Sequence, residues 1–213
     1  MSCSFDLDHY RELLEAALAG GYRFADFGEG PQPGDLFLRH DVDLSLDAAV
    51  RMAELETSVG ARAWYFLMRE STFYNLASDE GTAALTRLKE LGHRIGCHLV
   101  FPDTQLDERL EPVIAWHNPD PDYMSAEFDE GINVMSKRYF DPATYRSDSN
   151  QHWRSGCPHE ELRAGAFPWL QLLIHPEIWV YKGETMGQTM RSMLEAEKER
   201  RLEQLRADRI DLS

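Results

Sequence analysis

What most restricts how this chain can fold is a repeating alternation of short apolar runs with amphipathic segments about a dozen residues long. "DLFLRH", starting at Asp35, leads into "SLDAAVRMAELETSVG", whose Ser45 suits a helix N-cap and whose Gly60 suits the residue past a helix end. "ARAWYFLM" follows, then "SDEGTAALTRLKELG", with Ser78, Asp79 and Glu80 at a helix start and Gly92 at its close, then "HRIGCHLV". Strands separated by helices of this length argue for parallel pairing through right-handed crossovers, the α/β class. An opening helix, "DHYRELLEAALAGG", precedes the alternation, with Asp8 near its start and Gly20 and Gly21 placed for a left-handed cap.

The rhythm shortens in the second half. Only "FPDTQLDERLE" separates the third strand from "PVIAWH", about the shortest stretch that carries a parallel crossover. Later strand candidates are "GINVMSKRYF", "ATYRS" and "WLQLLIH", with "PHEELRAG" a short helix among them, for six or seven strands in all. The closing stretch, about 184–209, reads as a charged helix with Met and Leu on one face: a lid on the domain, or a surface through which a homo-oligomer forms. The whole chain, 1–213, suits a single domain.

Composition narrows the partners. With 43% hydrophobic and 28% charged residues the chain has the balance of a soluble globular protein. A net charge of −15 disfavours nucleic acid and anionic membranes, which are bound through clustered Lys and Arg. "MSCSFDLDHY" carries acids where a secretory signal carries bases, and no apolar run is long enough to span a bilayer, so a cytoplasmic protein is expected. Cys3, Cys97 and Cys157 are odd in number and far apart, and read as free thiols.

In parallel α/β folds ligands bind beyond the carboxyl ends of the strands. His40, Asp41 and Asp43 follow the first strand, His98 ends the third, His117 ends "VIAWH", Arg146 and Asp148 follow "ATY", and His175 ends "LQLLI". Each has an ordinary structural reading: Asp41 and Asp43 as helix caps, His98 and His117 as core histidines, Arg146 as a partner of Asp148. His93, at the opposite end of its strand, is read as structural. Jointly they describe a rim, and one carboxylate with two imidazoles is a standard ligand set for a divalent metal that leaves a position for water. A rival set, His152, Cys157 and His159, matches no common zinc spacing, and "HEEL" lacks a metalloprotease's second histidine because Arg163 stands there.

"LRHDVD", "GHRIGCH", "YRSDS" with Trp153 downstream, and "LLIH" resemble the successive motifs of the NodB-type polysaccharide deacetylases, from about Leu36 to Pro176. These are metal-dependent hydrolases that remove acetyl groups from N-acetylated sugars. The resemblance implies a distorted (β/α)7 barrel, with Asp41 as catalytic base, Asp43 and His98 as metal ligands, Arg146 steadying the base and His175 protonating the leaving amine. The family's second histidine ligand falls on Pro102 here, beside Asp103. His117 in "WHNPDP" is the better substitute as third ligand, its alternatives being a substrate contact or a core histidine. His40, Asp148, Trp116 and Trp153 are expected to contact substrate. The expected activity is zinc-dependent removal of an acyl group from an N-acylated sugar or similar small amide. A non-catalytic sugar- or protein-binding version of the fold, or hydrolysis of another carbon–nitrogen bond such as a cyclic amide or ureide, are the alternatives.

Overall fold

The central strand, β2 (Asp35–Val42), is buried at all eight of its residues. Its immediate neighbours are β3 (Trp64–Leu67) and β8 (Leu170–Ile174), with Arg39 opposite both Trp64 and Leu173. The computed structural model describes residues 3–69, 71–102 and 104–211. Beyond β3 lie β4 (Arg94–Leu99), β5 (Val113–Trp116) and the two-residue β6 (Ile132–Asn133); beyond β8 lies β7 (Tyr145–Ser147). A short β1 (Arg23–Phe24) pairs with the start of β2, and every pairing is parallel.

Local chemistry sets the helices between the strands. Asp6 caps α1 (Leu7–Ala19), accepting from the His9 amide; Ser45 caps α2 (Leu46–Ser58) through the Ala48 amide, and Ser78 caps α3 (Asp79–Glu90) through that of Gly81. Gly60 and Gly92 follow α2 and α3 at φ +77° and +86°, left-handed conformations that cost glycine nothing. The remaining helices are α4 (Pro121–Met124), α5 (His159–Arg163), α6 (Pro176–Val180) and α7 (Met186–Ala207).

The sheet curls into a half-barrel. β8 and β6 stand five strands apart, about 24 Å on a flat sheet at ~4.8 Å per strand. Yet the Gln171 amide in β8 donates to the carbonyls of Val134 and Tyr139, just past β6, at 3.0 and 2.8 Å. The concave side packs Phe37, Trp64, Phe66, Val113 and Ala115, while Leu36, Leu38, Tyr65, Ile95 and Ile114 face the helices. Gly96 makes the inner packing possible, because a Cβ there would lie 2.5 Å from both the Phe66 ring and the Val113 carbonyl.

One expectation changes and one is met in part. "GINVMSKRYF" pairs only at Ile132 and Asn133, because the Asn133 side chain accepts from the Met135 amide and its carbonyl accepts from that of Ser136, turning the chain out of the sheet. The expected distorted barrel is met in its coarser form: seven parallel strands curl into a half-barrel, with β1 paired to β2, and the outer strands β6 and β7 do not pair with each other. The final helix falls within the expected span. Its Met193 packs on Ala48 and Tyr181, and Arg200 and Arg201 pair with Glu80 of α3. Among the described residues no helix is long and apolar enough to cross a membrane.

Behind the sheet a buried polar knot ties α1 and α2 to the strands. Glu56 of α2 accepts from the hydroxyls of Tyr10 and Tyr65 at 2.5 and 2.8 Å, and lies 2.6 Å from His40 Nε2 and 3.5 Å from His93 Nδ1. Burial alone would raise its carboxyl, but His40 and His93 hold it below the usual carboxylate range. Glu56→Ala should cost about 3–5 kcal/mol of stability in urea unfolding, the usual penalty for leaving buried partners uncompensated. Glu56→Gln keeps an acceptor and should cost less. A loss below about 1 kcal/mol in the alanine variant, the scale of an exposed pair, would show that the knot is not a stabilising centre.

Candidate metal centre at the strand ends

The twofold period of β2 sends its charged residues to opposite faces. Arg39 and Asp41 point into the half-barrel, where the guanidinium donates from Nε and Nη2 to the two carboxylate oxygens at 2.7 and 2.6 Å. Nη1 donates to Gln171 Oε1 at 3.1 Å and lies 3.0 Å from Met135 Sδ. Burial pushes the Asp41 carboxyl up, and Arg39 outweighs it, so the group is held ionised.

Asp43, just past the strand, gathers two imidazoles from neighbouring strand ends. Its Oδ1 lies 2.9 Å from His98 Nε2 and 3.1 Å from His117 Nδ1, and one donor atom from each of the three residues falls within 4.8 Å of the others. His98 shows what such a group fits. Its Nδ1 lies 3.0 Å from the Ala115 carbonyl, which only accepts, so Nδ1 carries a proton and Nε2 is the atom turned inward. Nε2 is buried without an aligned hydrogen bond despite the nearby carboxylate. A buried ring nitrogen without an aligned partner, beside a carboxylate oxygen, is an arrangement suited to a cation between them. Burial raises the Asp43 carboxyl, while His117 and His98 bring it well below the ordinary value; His117 in turn is raised by its bond to Asp43, against burial.

His175 approaches from β8. Its Nδ1 lies 2.6 Å from Asp148 Oδ1, its backbone N–H donates to the same carboxylate, and Trp179 Nε1 donates to Oδ2 at 2.7 Å. Burial lowers the affinity of the imidazole for a proton, but Asp148 outweighs burial and lifts its pKa to about 10. Arg39, Asp41, Asp43, His98, His117 and His175 all line one cavity of about 160 Å³. A larger recess of about 530 Å³, around Arg69, Asn75 and Arg109, lies apart from all of them. The backbone is strained at the rim: Asn118 after His117 and Asn150 and Gln151 after Asp148 all adopt left-handed φ.

Three expected roles are corrected, and a fourth residue, Trp153, lies outside the cavity. His40 lies behind the sheet, fully buried against Glu56, and cannot meet a substrate in the cavity. Asp148 is also fully buried and serves as the anchor of His175 rather than as a substrate contact. Arg146 does not hold Asp41; it alternates outward in β7, donates to Glu161 Oε1 at 3.3 Å and covers the Phe167 ring, while Arg39 takes the place expected of it. Trp153 is packed beside Phe5 with its Nε1 donating to Cys3 Sγ, and does not line this cavity. Trp116 does line it, mostly buried against Tyr123.

His152, Cys157 and His159 do not assemble: His159 pairs with Glu160, and Cys157 lies instead against His9. Pro102 is exposed, and Asp103 lies outside the described residues. Arg39, Tyr145 and Glu177 were missed. Arg39 was legible from its spacing of two from Asp41. Glu177, buried with one unpartnered oxygen and raised to about 8 by burial, follows His175 in "HPE".

No family model, curated protein or solved structure matches the chain.

In metal-free protein the His175 ring should remain protonated through neutral pH when followed by NMR, titrating far above its ordinary 6.5. Asp148→Asn should return the midpoint toward 6.5. Because the folded pKa is raised, this interaction stabilises fully below pH 6.5 and its contribution is lost as pH climbs through about 10. A wild-type midpoint near 6.5 would contradict the assigned ion pair.

Proposed function

We propose that the chain is a metal-dependent hydrolase that releases an acyl group from the nitrogen of an N-acylated sugar or similar small amide, in keeping with its resemblance to the NodB-type deacetylases. The observation that carries this reading is the meeting, on one small cavity, of a metal-ligand set (Asp43, His98, His117), an ionised carboxylate (Asp41) and a proton-bearing imidazole (His175). When held by Asp43, His98 and His117, a divalent ion such as zinc supplies Lewis-acid polarisation of an acyl oxygen and acidifies water toward a pKa of ~7.

The chain's own residues supply the proton movements. Asp41 takes a proton from the attacking water; Arg39 fixes the orientation of its carboxylate and leaves each oxygen a further acceptor position. An amine leaves poorly unless protonated, and His175, anchored through Nδ1 by Asp148, presents its other ring nitrogen as the donor. The cavity, of about 160 Å³, has room for an acetyl group beside the ligand set. A neighbouring groove of about 440 Å³ shares Met135, Tyr145 and Ser149 with it and is lined by Arg146 and Trp153. That groove is where the rest of the substrate lies, so both residues contact substrate from the groove rather than the cavity.

Zinc content and rate test the assignment together. His98→Ala should bind one equivalent of zinc fewer than the wild type and lose amide hydrolysis. Asp41→Asn should keep its zinc and lose roughly 10²–10⁴ in rate, the usual share of a general base. Unchanged zinc content in His98→Ala would sink the ligand set.

His175 is tested by leaving group. A nitrophenyl acetate needs no proton to depart, so His175→Ala should slow amide hydrolysis by roughly 10²–10³ while affecting the ester far less. Equal losses on both substrates, in folded protein of equal metal content, would remove His175 as the acid.

A further inference from the structure

A second cluster of ligand atoms lies outside the cavity, where the N-terminal segment meets the stretch before α5. Cys3, His9 and Cys157 each offer one atom, all within 4.8 Å of one another, and His9 Nε2 stands 3.2 Å from Cys157 Sγ. Two thiolates and one imidazole around a tetrahedral zinc, with bonds of ~2.3 and ~2.0 Å, place neighbouring donor atoms about 3.5 Å apart. The cluster is therefore already close to the spacing an ion requires.

Surrounding groups orient these donors. His9 Nδ1 lies 2.9 Å from Glu12 Oε2 and Nε2 is turned toward Cys157, the carboxylate–histidine pairing that commonly backs a metal-bound imidazole. Trp153 Nε1 donates to Cys3 Sγ at 3.1 Å and fixes the position of the sulfur. His9 is buried and the two cysteines are half-buried, so the donor set is partly open to solvent.

The geometry points to a second metal site, in which Cys3, His9 and Cys157 bind a thiophilic divalent ion of the zinc class and tie the N-terminal segment to the chain ahead of α5. Each ligating thiol gives up its proton to solvent as the ion binds. The role is structural: His9 stacks on Trp179 at 6.3 Å, Trp153 and Phe5 pack on the same indole, and Trp179 donates to the Asp148 that anchors His175. An ion here pins the aromatic cluster behind the cavity without touching it.

Cobalt(II) titration tests this independently of the first centre, since Asp43, His98 and His117 contain no sulfur. Full-length protein with an untagged N-terminus, kept reduced by a phosphine, should develop a near-ultraviolet thiolate-to-cobalt charge-transfer band that rises to saturation and is bleached by zinc. Cys3→Ser and Cys157→Ser should abolish the band, and His9→Ala should weaken cobalt affinity at least tenfold. Cys97→Ser and His98→Ala should leave the band intact. Absence of the band in the wild type, or its survival in Cys3→Ser or Cys157→Ser with circular dichroism unchanged, would overturn the site and leave the reading of the cavity standing.

Discussion

The ion pair between Arg39 and Asp41 is the constraint around which the half-barrel is built. Both side chains are nearly inaccessible, 1% and 4% exposed, on the inner face of the central strand. Removing two charges from water costs several kcal/mol each, and the attraction between them offsets this only when their remaining hydrogens and lone pairs are also satisfied. Arg39 meets that condition through Gln171 and Met135, and Gln171 passes its own amide hydrogens to Val134 and Tyr139. Those carbonyls come within reach only because the sheet curls. The buried charge and the curvature thus require each other: a flatter sheet strands the guanidinium, and a neutral residue at 39 leaves Asp41 uncompensated.

The same strand sets a second condition from its other face. His40 projects backward onto Glu56, which also gathers Tyr10 and Tyr65. Three consecutive ionisable residues are buried, Arg39 and Asp41 paired with each other on the inner face and His40 matched to Glu56 on the outer one. A slip of one residue in the register of β2 exposes Arg39 and Asp41 to the helices and turns His40 into the cavity, so every partner is lost at once. Register in this fold is therefore specified by polar matching as well as by the apolar pattern.

Much of this was legible in the sequence because parallel topology does geometric work. If strands run parallel, residues at their carboxyl ends meet on one rim, and Asp41, Asp43, His98, His117 and His175 do line one cavity. What failed was the assignment of faces. β2 runs on to Val42, so His40 belongs to the strand and alternates with Asp41 rather than joining it; the same period places Arg39 beside Asp41, and a period-two count from Asp41 finds both. Arg146 fails likewise, lying between Tyr145 and Ser147 on the outer side of β7. The contacts of Trp153 with Cys3 and of Cys157 with His9 span about 150 residues, and no local pattern announces them.

The two ligand clusters differ in a way that follows from their surroundings. Oxygen and nitrogen donors stand at the cavity wall, where a bound ion would keep a position open toward the cavity. The two sulfur donors and the His9 imidazole stand beside Trp179, away from the cavity, where soft ligands would hold an ion tightly and the indole would separate it from the cavity. Between them runs one physical chain: the His9 ring on the Trp179 face, the Trp179 N–H on Asp148, and Asp148 on His175. Every link in it is a packed ring or a short hydrogen bond inside the core, so the position of the proton-bearing imidazole depends on how α1 is seated. The N-terminal helix, which contributes no residue to the cavity, is for this reason part of what gives the cavity its shape.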